Sequence, residues 1–362
     1  MFLDSCQLRF AVFAAAVVIC AAAVEANGEA ECPAGENVES VDYWIKRFPP
    51  ESESLLVIQG EYSVAAKGAA ALSTVDGLYE SYLQGMFGEQ SRNALEGKTL
   101  IRWIVAASNF RSPEWPLEIL DRPMTGWSPK YDGCHVLIFD SKSAPCWNDV
   151  VGAIMGDLQA SSVLIGNVLV FESRHSVSRR HRLSIETPEL AKRIDEALTT
   201  RYWMTAFAPN VYVVGTSDKI LNRLLQAPTV HGTPFPESMS EWAFIDQSAP
   251  VWGVRCHPHR SAIPHNLARF VPSAADKTVG VSFTADPSHG RVVMAFESLD
   301  GASNQIWKNA IPIPVDKVRT LSTESSTAIM SVECGLTVEP DANERAILLA
   351  WLLAVLGHST MI

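Results

Sequence analysis

The sequence predicts an α+β fold of mainly antiparallel β-sheets, built from hairpins, with helices packed on one face. Three observations carry this. Val163-Leu164-Ile165 and Val168-Leu169-Val170-Phe171 flank Gly166-Asn167, a two-residue hairpin turn. Tyr202–Phe207 and Val211–Val214 flank Ala208-Pro209-Asn210 in the same way. Hairpins of this kind outnumber strand–helix–strand crossovers, and crossovers are what a parallel sheet requires.

Residues 1–26 have the three parts of a secretory signal peptide. Met1–Arg9 is weakly basic, Phe10–Val24 is apolar and uncharged, and the small-residue pattern Val24-Glu25-Ala26 predicts cleavage after Ala26. The apolar stretch is shorter than the roughly 20 residues that cross a bilayer. Ile19 before Cys20 and Glu31 before Cys32 do not suit lipid attachment. The expectation is a secreted or periplasmic protein with no stable membrane insertion after signal cleavage.

Residues 27–52 read as a polar lead-in with one short helix around Val41–Arg47. Residues 53–230 form a first α+β unit. Its predicted strands include Leu55–Ile58, Thr99–Ala107 and His135–Phe139, and its predicted helices cover Thr74–Phe87, Asn148–Leu158 and a segment opened by Thr187-Pro188. Ser217 is the N-cap of a further helix with an Ile220, Leu221, Leu224, Leu225 stripe. The Gly/Pro-rich segment within 231–245 is read as a linker. Residues 246–357 form a second unit, with strands at Val251–Arg255, Val279–Thr284, Val292–Glu297 and Ser325–Val332. Ala346–Leu356 is apolar all round and too short to span a bilayer, so it is read as a buried C-terminal helix. The pattern admits two similar units.

Over 362 residues, 47% hydrophobic and 19% charged content sustains a large core and excludes disorder. A net charge of −11 argues against nucleic acid, which needs concentrated Lys and Arg. The one basic cluster, Arg174-His175 with Arg179-Arg180-His181-Arg182, reads as a solvated loop. Outside the leader stand Cys32, Cys134, Cys146, Cys256 and Cys334, too sparse for a disulfide scaffold. Cys134 and Cys146 bracket a strand and its following turn and are the candidate disulfide, worth roughly 3 kcal/mol if formed. No Asn-x-Ser/Thr acceptor occurs, which favours a bacterial cell envelope.

Catalytic patterns fail on inspection. Gly97-Lys98-Thr99 lacks the preceding glycine of a phosphate loop, since Arg92 stands there, and leads into a strand. Cys256-His257-Pro258-His259 with His265 offers zinc-type ligands, but the spacing matches no standard site and Arg255 and Arg260 crowd it. It is read as a strand end running into a loop, with no metal and no cofactor. Ten tryptophans, among them Trp103, Trp115, Trp127, Trp147 and Trp203, divide between core filling and an exposed ligand platform, with core favoured.

Tyr131-Asp132-Gly133-Cys134-His135, Val251-Trp252-Gly253-Val254-Arg255 and Leu356-Gly357-His358 resemble predicted exported bacterial proteins of uncharacterised function. The resemblance implies no activity, cofactor or catalytic residue. The sequence therefore predicts a non-enzymatic binding or structural protein of the cell envelope. Its partner would be a small molecule, a polysaccharide or a protein of that compartment. The competing expectation is an extracytoplasmic hydrolase whose site is assembled from residues distant in sequence.

Overall fold

Continuous apolar runs such as Leu55–Ile58, Val136–Phe139 and Val211–Val214 carry no polar alternation, as expected of strands covered on both sides. The computed structural model describes residues 37–49, 52–64, 76–80, 83, 86–87, 95–111, 130–156, 161–174, 199–226, 235–256, 278–285, 289–296, 315–324 and 327–335. The predicted signal peptide, the Thr187-Pro188 helix and the Ala346–Leu356 helix lie outside them.

In chain order the elements are α1 (Val41–Ile45), β1 (Ser54–Ser63), β2 (Thr99–Arg111), β3 (Lys130–Phe139), α2 (Trp147–Gly156), β4 (Ser162–Ile165) and β5 (Val168–Arg174). They continue with β6 (Thr199–Ala208), β7 (Val211–Gly215), α3 (Asp218–Leu225), a 3₁₀ turn (Trp242–Phe244), β8 (Val251–Cys256), β9 (Thr278–Ala285), β10 (His289–Phe296), β11 (Val315–Glu324) and β12 (Thr327–Gly335). Residues 76–80, 83 and 86–87 are also helical. The sequence reading omitted β11 and began β12 slightly early.

The described strands form a single twelve-stranded sheet, in the order β11-β12-β10-β9-β8-β1-β2-β3-β7-β6-β5-β4. Its neighbours pair antiparallel throughout. The expected several sheets are thus one, because β1 and β8 pair directly from Ser54↔Arg255 to Ile58↔Val251. Outward from that contact the order is β1-β2-β3-β7-β6 on one side and β8-β9-β10-β12-β11 on the other, with the β4–β5 hairpin added to the first. Phe235 is buried, and Met239, Trp242 and Ile245 pack on the core, so the described part of the expected linker is not a free tether.

One row of Cα partners crosses all twelve strands: Val318, Val332, Val292, Phe283, Gly253, Leu56, Val105, His135, Val214, Met204, Leu169 and Leu164. His135 is its single titratable residue.

Helical segments cover both faces of the central strands, where the sequence reading placed them on one. On the first face, Leu55, Val57, Ile104, Val136, Val213 and Trp252 pack with Trp44 and Ile45 of α1 and Leu221 and Leu224 of α3. Arg47 fastens this layer. Its Nη1 donates to the carbonyls of Leu224 (3.3 Å) and Gln226 (2.6 Å), a cation placed at the end of α3 where the helix dipole favours one. The same guanidinium lies 4.4 Å from the Tyr43 ring centroid. On the second face, the Tyr79 hydroxyl donates to the carbonyl of Ile58 (3.0 Å), Phe87 stacks on Phe171 (5.8 Å) and Trp147 of α2 lies against Tyr212 (5.7 Å). A side chain sealed in this way contributes about 1.5–3 kcal/mol if apolar.

Tight turns set the local geometry. Gly166 takes φ +60° in the β4–β5 hairpin, a conformation costly for other residues. Ser217 caps α3 by accepting from the amide of Ile220 (3.3 Å), as its sequence predicts. Just before it, Gly215 has no room for a side chain, because a Cβ there would lie 2.8 Å from the Leu221 nitrogen and 3.0 Å from the Ser217 oxygen. Both are backbone atoms and cannot swing aside. Gly215→Ala is therefore expected to lower unfolding stability by about 1–3 kcal/mol. Gly152→Ala, in the open middle of α2, should raise it by about 0.5–1 kcal/mol. Denaturant midpoints of the two variants check the pair, and equal effects would refute the account of Gly215.

Candidate functional site

The sequence places Cys134 beside His135 on β3, a pairing that in other geometries makes an activated thiolate. Strand alternation separates them. Cys134 packs in the first-face core, while His135 faces the second. Burial pushes the Cys134 thiol well above the ordinary cysteine range, which keeps it protonated and unreactive.

His135 is 1% exposed and lies at the centre of an aromatic seam. Trp103 Nε1 donates to His135 Nδ1 (3.2 Å), so the imidazole carries its proton on Nε2. The rings of Trp103 and Tyr202 meet it edge-on, at 6.0 and 6.1 Å. Tyr202 tilts against Phe171, which stacks on Phe87. Beside the seam, Tyr79 is buried and stacks on Tyr62, whose hydroxyl donates to Glu80 Oε2 (2.5 Å). Desolvation raises the Tyr79 phenol, with the Arg102 guanidinium partly offsetting it. These groups have the chemistry of general acids and bases but lie sealed beneath the second-face layer.

Two more charged groups are buried. Arg255, opposite Ser54 across the β1–β8 contact, is pulled down to about 10 by desolvation, with Glu53 opposing the shift. It remains a cation at neutral pH. Glu241 is 2% exposed beside the Trp242–Trp252 edge contact. Burial raises its carboxyl, while hydrogen bonding that includes Ser240 (3.2 Å) pulls the other way.

The accessible side chains lie elsewhere. Val163 is 50% exposed and Ile165 63% exposed, both on β4 at the end of the sheet, and Met155 on the neighbouring α2 is 44% exposed. Val163 pairs with Val170 and Ile165 with Val168. The two extend the first face outward past half-buried Val168 and Trp203. The sequence showed this hairpin but not that it closes the sheet. The uncharged stretch Leu158–Phe171 was the available signal.

The candidate disulfide does not form. Cys134 and Cys146 are both free, the first buried in the first-face core and the second exposed just before α2, whose Trp147 packs on the other face. A strand-and-turn spacing in sequence does not bring two Cβ atoms to one side of a sheet. Gly97 turns with φ +72° and its amide is bonded to Val64, and Thr99 starts a strand, so no phosphate cradle opens there. Trp103 is core, whereas Trp147 and Trp203 are half-buried. Cys256 ends β8, and the rest of the zinc-type cluster, Trp115, Trp127, most of the basic cluster and Ala26 lie outside the described residues. Among the described residues no group of three His, Cys, Asp or Glu side chains is placed to hold a metal, and no helix is long and apolar enough to cross a membrane.

No family model matches the chain, and no curated protein matches it. Two solved structures, crystal forms I and III of TP0453, are similar at 10% identity. Form I covers 87% of this chain and 98% of that one with a TM-score of 0.42; form III covers 86% and 98% with 0.41. Similarity this distant carries no functional argument.

Glu241 gives a pH signature. Its folded-state carboxyl holds its proton to higher pH than in the unfolded chain. The penalty on folding is therefore absent at acid pH, grows as pH rises through the unfolded carboxyl range, and levels off above the folded-state pKa. Glu241→Gln should raise the melting temperature at neutral pH, with the gain vanishing below about pH 4. Thermal melts across that range check it. A variant less stable than the parent at neutral pH, with the loss vanishing at acid pH, would show that the carboxylate is needed in its charged form.

Proposed function

We propose that this protein is an exported, non-enzymatic binding or structural protein of the cell envelope. The observation that carries the reading is the division between sealed and presented groups. His135, Trp103, Cys134 and Tyr79 lie inside the protein, whereas Val163 and Ile165 are exposed on the last of the described strands. Catalysis needs its acids, bases and nucleophiles within reach of substrate. Association draws on exposed apolar surface, which the hairpin offers at Val163 and Ile165.

Export is supported by the uncharged run Phe10–Val24 followed by Val24-Glu25-Ala26, and the resemblance to predicted exported bacterial proteins agrees with it. The repeated strand order either side of β1–β8 supports two similar units merged into one sheet. The partner is a small molecule, a polysaccharide or a protein of the envelope, with no role for nucleic acid or for a cofactor.

Fractionation of an expressing bacterium tests this reading, combined with N-terminal sequencing and incubation of the purified chain with cell-wall polysaccharide. The expected outcome is soluble extracytoplasmic protein beginning at Asn27 that releases no fragments from the polymer. Uncleaved, membrane-extractable chain contradicts export. Soluble fragments accumulating in proportion to protein and time contradict the non-enzymatic reading.

A further inference from the structure

Residues 235–245 lie on the first face over the β1–β8 contact without joining the sheet. Met239, Trp242 and Ile245 pack on the cluster that holds Leu55, Val57, Trp252 and Val254. Among the described residues, the hydrogen bonds of this segment stay within it. The amides of Met239, Trp242, Phe244 and Ile245 donate to the carbonyls of Pro236, Met239, Glu241 and Trp242, and the Ser240 hydroxyl donates to Glu241 Oε2. The chain that follows is fastened instead. Gln59 Nε2 donates to the carbonyls of Gln247 (2.7 Å) and Ala249 (2.9 Å), and the Gln59 amide to that of Pro250 (2.8 Å). Residues 235–245 can swing about 246–250 and break no hydrogen bond of the sheet.

Two polar groups go unmatched while the segment is seated. Glu241 is 2% exposed, and its Oε1 has no hydrogen-bond partner among the described residues. Trp252, edge-on to Trp242, is fully buried with its indole N–H in the same condition. The charged groups of the layer are engaged elsewhere. Strand alternation turns Arg255 of β8 away from the face that Trp252 and Val254 line. Arg47 of α1 is bonded to the end of α3, Arg291 of β10 is drawn to Asp246, and Glu61 of β1 is exposed beyond the bulge that follows Gln59.

We propose that residues 235–245 are a pH-operated strap, seated on the first face while Glu241 is protonated and lifted about residues 246–250 when Glu241 ionises. An apolar layer holds a neutral carboxyl far more easily than a carboxylate without a counter-charge. Lifting hydrates the carboxylate and the Trp252 N–H together. Burial makes the seated form bind the Glu241 proton more tightly than the lifted form does. The lifted population is therefore smallest at acid pH, grows as pH rises through the ordinary carboxylate range of about 4, and levels off above the seated-state pKa. The segment's other carboxylates, Glu237 and Asp246, are exposed, and Ser248 holds that of Asp246 below the usual range. The strap leaves β1 and β8 paired and is independent of what the protein binds in the envelope.

Hydrogen exchange of the purified chain at about pH 4 and about pH 8, with each amide corrected for its intrinsic rate, tests the proposal. The amides of Met239, Trp242, Phe244 and Ile245 should lose about tenfold or more of their protection at the higher pH, while those of Leu55–Ile58 keep theirs. Glu241→Gln should hold the strap's protection high at both. Ser240→Ala, which removes an exposed hydroxyl that favours the carboxylate, should deepen the loss at the higher pH. The proposal is overturned by equal protection of the strap at both pH values in the parent, by a loss that persists in Glu241→Gln, or by a loss that Leu55–Ile58 share, which marks opening of the whole core.

Discussion

The pairing of β1 with β8, from Ser54↔Arg255 to Ile58↔Val251, is the constraint on which the rest of the molecule depends. It joins strands almost two hundred positions apart in sequence and turns what would be two sheets with exposed inner edges into one. An unpaired edge in a sheet centre would leave backbone donors and acceptors buried without partners, at a cost comparable to losing each hydrogen bond. With the pair formed, Leu55 and Val57 on one side, and Leu56 and Ile58 on the other, are fully buried. The helical layers on both faces then have a continuous apolar floor to rest on.

The placement of chemistry follows from that floor. Residues 133–139 of β3, two strands out from β1, are buried whichever way they point. Cys134 is lost into one core and His135 into the other, where His135 accepts a hydrogen bond from Trp103. Interior polar groups held by hydrogen bonds of this kind specify packing rather than react. Arg47, bonded to two carbonyls at the end of α3 and stacked on Tyr43, has the same character. Among the described residues the exposed large apolar side chains lie at the periphery, two of them on β4.

Much of this was legible in the sequence, and the failures have physical causes. The Gly166-Asn167 hairpin, the β6–β7 hairpin and the Ser217 cap were readable because turn and capping chemistry is local. The unbroken apolar run of β1 also signalled two covered faces. Assigning helices to one face ignored that signal. The partner of β1 was not readable, since nothing near Leu55 in sequence names Val254. Cys134 and Cys146 were misjudged for a related reason: spacing along the chain does not say on which side of a sheet each thiol emerges. Buried Glu241 lies in a segment whose Gly/Pro content suggested a linker, and its burial comes from tertiary packing around Trp242 and Trp252. The exposed β4 edge needed the whole strand order, which only the structure supplies.

Native-state hydrogen exchange, resolved to single amides, tests the β1–β8 contact most directly. The amides of Leu55–Ile58 and Val251–Arg255 should exchange only through global unfolding, with the same denaturant dependence as the inner amides of β3 and β7. Exchange of β8, β9, β10, β11 and β12 as a separate unit of lower stability, with β1 released alongside, would contradict the account.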